Sequence, residues 1–388
     1  MKTTIDMKEL KKLVNKIGKS IPTRPSIAIL HTVLVYTEGT RFHMLGSDID
    51  NELDISTDQC KITESGKFCI DIDDLKRIGK LKCDQITIST EDQKIFFMTD
   101  KGKTIIIDNI FNTEDFPVIE ITGMVTAFKM ACNEFYDILK TLEPYLHDLK
   151  NTNVALYYYN IDMKNHRINA CDSHRIGSKL IADSHYNPNI TKEINIHRDS
   201  FYKLENALKS ENSALVTVSI TDQKYYVIES ENFRMTTKAP NISYFDIMGF
   251  LKNCDSCGYI EVDRSQLLEI ATYNNDLSKS TKDLIPTTFY ISDTDVYTYM
   301  QVGKITSFDR MKNVKVDYPC NLLIAFNNHF LIDLCNSVES DRITLQFANS
   351  KSPAVTENNS YTFAVLPVNL KNPDIKESNI IKLIEKTA

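Results

Sequence analysis

Two spacings of apolar residues alternate along the chain. In the first, Leu10, Leu13, Val14 and Ile17 follow Asp6; Phe135, Ile138, Leu139 and Leu142 follow Asn133; and Leu267, Ile270 and Ala271 follow Asp263. A rhythm of i, i+3, i+4, i+7 places these side chains on one face of a helix. The acidic or amide residue before each run reads as an N-cap, and Asp6 with Glu9 and Asp263 with Gln266 read as capping boxes. A second set of helices follows short strands. Asp71 precedes Ile72, Leu75 and Ile78; Asp199 precedes Phe201, Leu204 and Leu208; Asn328 precedes Leu331, Leu334 and Val338.

After each of these second helices the spacing changes to strict alternation, the signature of half-buried strands joined as hairpins. Residues 85–89 and 94–98 form the first such pair, residues 215–220 and 224–228 the second, and residues 342–347 and 361–365, across a longer loop, the third. The caps Asp71, Asp199 and Asn328 lie 128 and 129 residues apart, so the same order of elements recurs three times. A fixed period of this kind marks a repeat architecture. The expected organisation is α+β: three pseudo-repeated domains, each with two helices packed on antiparallel sheets, at residues 1–123, 124–250 and 251–370, with an extension at 371–388. Strands at the edges of such units tend to pair. Edge pairing between successive repeats makes an arc, and a second copy can close that arc into a ring by two-fold symmetry.

Charge sharpens this picture. The chain is acidic overall, with a formal net charge of −7, so any contact with nucleic acid requires positive charge gathered on one surface. Residues 7–20 carry a net charge of +4 and residues 72–82 carry +2. The six helical segments together carry +3, which leaves −10 for the rest of the chain. This asymmetry suits helices turned toward phosphate. A solvated helix face accounts equally well for Lys8, Lys11, Lys12 and Lys16 taken alone.

Several kinds of chemistry find no support. A nucleophile elbow, an H-E-x-x-H pair and a phosphate-cradling Gly-x-x-x-x-Gly-Lys-Ser/Thr loop are all missing from the sequence. Asp172 beside His174 lacks a nucleophile motif to act on. Cys254 and Cys257 form a C-x-x-C pair without a second pair to complete a zinc site, and read as free thiols in a turn. Scattered cysteines, with neither an apolar signal core nor a membrane-length apolar run, point to a cytoplasmic protein that makes no membrane contact. No cofactor or metal is expected.

Four stretches carry a resemblance. Ile21-Pro22-Thr23-Arg24-Pro25-Ser26-Ile27-Ala28-Ile29-Leu30, Asp115-Phe116-Pro117, Asn169-Ala170-Cys171-Asp172-Ser173-His174-Arg175-Ile176 and Ala364-Val365-Leu366-Pro367-Val368-Asn369-Leu370 resemble, in order and position, segments of the beta subunit of bacterial DNA polymerase III, the sliding clamp. Cys171 stands where the family usually has threonine and Ser173 where it has glycine. The segment Asn151-Thr152-Asn153-Val154 departs from the family's L-N-G, and 18 residues follow Leu370.

The resemblance implies a non-enzymatic processivity factor. It would be a head-to-tail homodimeric ring around duplex DNA, binding without regard to sequence and needing a separate ATP-driven loader. The alternative is a clamp-fold peptide-binding scaffold that has lost DNA loading. Two kinds of site are implied. Arg24, Lys76, Arg77, Lys80, Arg198 and Lys203 would face DNA, with Arg24 suited to a forked phosphate contact unless a local carboxylate takes it. His174, Arg175, Ile176, Pro240, Pro353, Ala364 and Leu366 would form a pocket for short linear motifs of polymerases and the clamp loader, although Ile176, Ala364 and Leu366 also suit plain strand core. In the extension, Ile380, Ile381, Leu383 and Ile384 suggest an amphipathic helix that docks on the ring, a frayed tail, or a cover over the chain's own pocket.

Overall fold

The computed structural model describes residues 1–147, 153–211, 214–254, 256–279, 281, 284–370 and 377–387. Among them are eight helices: α1 (Met7–Ile17), α2 (Ile72–Ile78), α3 (Cys132–Leu142), α4 (Arg198–Ser210), α5 (Ile247–Lys252), α6 (Arg264–Ser278), α7 (Asn328–Ser337) and α8 (Glu377–Thr387). The fold is α+β and three-fold repeated. Strands Lys2–Asp6, Val125–Ala131 and Gly258–Asp263 run into α1, α3 and α6, and strands Lys67–Asp71, Ile194–His197 and Leu322–Phe326 run into or up to α2, α4 and α7. The expected apolar faces are the buried ones: Leu10, Leu13, Val14 and Ile17 of α1, Phe135, Ile138, Leu139 and Leu142 of α3, and Leu267, Ile270 and Ala271 of α6 are all interior.

Several expected caps are displaced. Asp71 does cap α2, accepting from Asp73 N at 2.8 Å, and Asp263 caps α6, accepting from Gln266 N at 2.9 Å. The cap of α4, however, is His197, whose Nδ1 accepts from Asp199 N at 3.1 Å, and the cap of α7 is Asn327. Asn133 lies inside α3, and Asp6 makes no cap bond. Neither capping box closes. Glu9 pairs with Lys12 at 3.2 Å, and the Gln266 side-chain Oε1 accepts from Lys312 N at 2.9 Å. The physical reason is common to α4 and α7. The strand enters the helix with almost no turn, so its last extended residue is the one placed to cap. The third hairpin also differs from expectation, because the loop contains a strand, Ala354–Asn358, that lies between Arg342–Phe347 and Tyr361–Val365.

The chain forms two compact units, Met1–Leu139 with Ala182–Asn241 and Lys140–Ile181 with Ile242–Ala388. The first contains a five-stranded sheet in the order Cys60–Glu64, Lys2–Asp6, Gln85–Glu91, Lys94–Thr99, Thr104–Asp108. Its eight-stranded sheet runs from Val125–Ala131 through Leu215–Ile220, Tyr225–Ser230 and Phe233–Lys238 to Asn51–Thr57, Arg41–Ser47, Thr32–Glu38 and Lys67–Asp71. First-repeat and second-repeat strands meet inside this sheet, where Phe233–Lys238 pairs antiparallel with Asn51–Thr57. In the second unit, Tyr361–Val365 pairs antiparallel with Arg175–Leu180, so second-repeat and third-repeat strands meet in the same way. A four-stranded sheet there has the order Ile305–Arg310, Val296–Val302, Thr287–Ile291, Leu322–Phe326.

The junction in the first unit contains a titrating group. Glu52 lies opposite Thr236 and accepts from Ile119 N at 2.8 Å. Burial, reinforced by nearby Asp54, raises its carboxyl to about 7 against the opposing pull of the Ile119 bond. The folded state therefore holds a proton that the unfolded state releases near pH 4.5, and stability falls as pH rises from about 4.5 to 7. Glu52→Gln should flatten that slope and exceed the parent above pH 7 by on the order of 2–3 kcal/mol, with little difference at pH 4, as urea titrations at both pH values will measure.

One face of a sheet in each repeat is covered by the segment that follows the repeat's last strand. Phe111 and Phe116 pack with Ile29, Leu34, Leu45 and Cys69. Ile247 of α5, with Tyr244, Phe250 and Leu251, packs with Leu156, Cys171, Ile176 and Ala364. On the third repeat Ile380, fully buried, joins Leu383 and Ile384 of α8 against Tyr290, Tyr297, Tyr299, Phe308 and Leu323. The extension is thus a docked helix seated on its own repeat. Its six residues from 371 to 376 lie outside the described part.

Candidate partner pocket and cationic helix faces

The pocket is built on a tight turn between strands Arg167–Cys171 and Arg175–Leu180. The Asp172 carboxylate accepts from the backbone N–H of His174 and of Arg175, both at 3.0 Å, and Ser173 takes a left-handed φ of 73°. Glycine adopts that conformation without cost, so the serine here stores a little strain. The turn projects Arg175 inward, where it is only 7% exposed. Its Nε donates to Asp172 Oδ2 at 2.8 Å, its Nη1 to Asp333 Oδ2 and its Nη2 to the Pro144 carbonyl at 2.5 Å. The guanidinium also lies 4.3 Å from the centre of the Phe330 ring, a cation–π contact.

Around this turn opens a cavity of about 240 Å³, lined largely by apolar side chains. Leu156, Cys171, Ile176 and Ala364 form its buried wall, Phe245 and Phe250 stand beside it, and Pro353 and Leu366 complete the rim. Leu366 is fixed by its backbone N–H, which donates to the His174 carbonyl at 2.8 Å. Burial pushes the Cys171 thiol up to about 11, so it acts as an apolar wall and not as a nucleophile. A concave apolar site with a few fixed polar groups suits one or two anchor side chains of an extended peptide.

Six of the seven residues expected at the pocket line this one cavity: His174, Arg175, Ile176, Pro353, Ala364 and Leu366. Pro240 is half-buried and is not one of the lining residues. Arg175 is present as a structural tie, with every guanidinium nitrogen already bonded within the chain. Sequence reasoning missed Leu156, Cys171, Phe245 and Phe250. Phe245 and Phe250 flank the start of the six-residue α5, too short to show a helical rhythm; Leu156 sits in a single 3-10 turn.

The expected DNA-facing residues divide into groups. Arg24 and Lys80 are exposed and make no ion pair among the described residues. Lys76 and Arg77 are exposed on α2 and pair along the helix with Asp73 at 3.4 Å and Asp74 at 2.6 Å. Such exposed pairs contribute roughly 0–1 kcal/mol and are readily exchanged for phosphate. Arg198 is half-buried at the start of α4. Lys203 turns inward to an ion pair with Asp48 and is not an open cation. Lys8, Lys11 and Lys12 of α1 are exposed, and α1 packs beside α2 and α4. Lys16 and Lys19 bridge from the end of α1 to Glu211 at 3.4 Å and Glu205 at 2.5 Å, tying the first repeat to the second.

The family model for the N-terminal domain of the DNA polymerase III beta subunit matches residues 1–120, and the model for its C-terminal domain matches residues 309–369. The beta sliding clamp of Caulobacter vibrioides is 22% identical over 377 residues, covering 92% of this chain and 95% of that protein. Among solved structures, the sliding clamp of Pseudomonas aeruginosa superposes with a TM-score of 0.85 at 18% identity, covering 95% of this chain and all of that one. A putative DNA polymerase III beta subunit from Eubacterium rectale gives 0.84 at 19% identity, covering 96% of this chain and again all of that one. Residues 1–120 and 309–369 thus match the N-terminal and C-terminal domains of the DNA polymerase III beta subunit in order, and the clamp fold runs along nearly the whole chain.

Proposed function

We propose that the chain is a DNA sliding clamp that closes as a two-chain ring. One observation carries this reading: a single pairing rule governs the repeats. The last strand of the second repeat, Phe233–Lys238, pairs with the fourth strand of the first, Asn51–Thr57. The last strand of the third, Tyr361–Val365, pairs with the corresponding strand of the second, Arg175–Leu180. Applied once more, the rule matches the last strand of the first repeat, Thr104–Asp108, with the fourth strand of the third, Ile305–Arg310. Each is a free sheet edge in one chain. Both also expose isoleucine, with Ile106 at 54% and Ile305 at 51%. Apolar side chains on a free edge are a liability unless a partner covers them. Two copies joined head to tail satisfy both edges twice and close a ring of six repeats.

Within such a ring Arg24, Lys76, Arg77, Lys80 and Arg198, with Lys8, Lys11 and Lys12, would contact phosphates without reading bases, which permits sliding. Lys203 would contribute only after leaving Asp48. The cavity around His174, Ile176, Pro353, Ala364 and Leu366 would take short linear motifs of a polymerase and of an ATP-driven loader. The division at 1–123, 124–250 and 251–370 follows from the same reading. Light scattering over a dilution series tests it: a ring weighs 88.8 kDa, twice the 44.4 kDa of one chain. A mass of one chain at all concentrations would overturn it.

A further inference from the structure

The segment after the last strand of the first repeat has two tasks. It covers a face of that repeat with Phe111 and Phe116, and then crosses to the second repeat. There it meets the turn Thr221-Asp222-Gln223-Lys224. Thr122 N donates to the Gln223 side-chain oxygen at 3.0 Å, Asp222 N donates to the Thr122 carbonyl at 3.2 Å, and the Gln223 amide donates to the Thr122 hydroxyl. Gly123 completes the crossing. Its φ is +61°, and a Cβ there would collide with the Asp222 carboxylate.

The extension performs the first of these tasks on the third repeat. Ile380, Leu383 and Ile384 of α8 pack with residues from all four strands, including Phe308 of the free edge strand Ile305–Arg310. The sequence also supplies a counterpart for the second task. The first repeat has the turn Glu91-Asp92-Gln93-Lys94 in the place of Thr221-Asp222-Gln223-Lys224, with Asp-Gln-Lys identical. All four residues of that turn are exposed. The turn carries Glu91, Asp92 and Lys94, and α8 exposes Lys382 and Lys386 together with Glu377 and Glu385.

We propose that α8 straps the junction between two copies of this chain, docking on its own third repeat and reaching the Asp92-Gln93-Lys94 turn of the other copy's first repeat. The inference rests on the ring reading and adds to it. It makes the extension a non-covalent substitute for the linker that spans the first and second repeats.

The test is the dimer dissociation constant, from sedimentation velocity, for four proteins: the full chain, the chain ending at Leu370, Gln93→Ala, and Gln93→Ala in the shortened chain. Removing the extension should weaken the dimer at least about tenfold, and Gln93→Ala alone about three- to fivefold, the loss expected for one hydrogen bond. In the shortened chain Gln93→Ala should have no further effect, because its partner is gone. Equal dimerisation with and without the extension overturns the proposal. So does a Gln93→Ala effect of the same size in both backgrounds. A full chain that never dimerises contradicts the ring reading instead. Should the shortened chain misfold, hydrogen exchange on the full chain decides. Amides of α8 gain protection as concentration drives dimerisation, and unchanged protection overturns the strap.

Discussion

Arg175→Ala should destabilise the protein by about 3–5 kcal/mol, the usual cost of removing one member of a buried ion pair. The guanidinium is almost fully buried and meets two carboxylates, Asp172 and Asp333, and one carbonyl, that of Pro144. Alanine leaves both carboxylates without their counter-charge and opens a void between Phe330 and Tyr145, whose rings flank the guanidinium. Lysine keeps the charge but cannot reach three acceptors in three directions, so Arg175→Lys should recover only part of the loss. Asp333 and Phe330 lie on α7, so the same arginine fastens the second-repeat turn to a third-repeat helix. Urea denaturation followed by circular dichroism measures the change. A loss below about 1 kcal/mol would mean that the buried network is worth no more than a surface pair. Because Arg175 sets the floor of the cavity, peptide binding should fall with stability, whereas His174→Ala at the rim should reduce binding alone.

Ile106→Lys should convert the dimer to monomer at micromolar concentration without unfolding it. Ile106 is more than half exposed in one chain, so lysine is tolerated there, and changes at exposed positions usually fall within about ±0.5 kcal/mol. In the proposed ring this strand pairs with Ile305–Arg310 of the other copy. The lysine would then be placed against an apolar junction twice per ring, once at each interface. Lysine on an edge strand is also a known device for blocking edge-to-edge pairing. The measurable outcome is a mass of 44.4 kDa with an unchanged melting temperature of the monomer. A variant that remains at twice that mass would place the interface elsewhere.

The two helices of each repeat were legible in the sequence because their apolar residues repeat at helical spacing, and Leu10, Leu13, Val14 and Ile17 are indeed interior. The repeat itself was legible because the order of elements recurs at nearly constant spacing. Caps were less so. Residue type favours Asp199 as the cap of α4, while the direct passage from strand to helix gives that place to His197. Long-range pairs left no local mark. Lys203 reads as an open cation on α4, yet its partner Asp48 lies 155 residues away in sequence. The amphipathic pattern of α8 reveals a helix but not its seat, because nothing local to Tyr290, Tyr297, Tyr299 and Phe308 marks them as a docking face. The pocket was legible through the motif around His174 and the C-terminal strand. Its aromatic side, Phe245 and Phe250, lies in a short segment with no rhythm of its own.

The most direct measurement is retention on DNA of different topology. Protein loaded onto circular duplex DNA by an ATP-driven clamp loader is passed through gel filtration in high salt, before and after the circle is cut once. A ring held by topology stays with the intact circle in salt that screens its lysine and arginine contacts, and runs off the cut ends. Ring closure predicts that outcome. Equal loss from circular and linear DNA would contradict it, and would leave only electrostatic attachment.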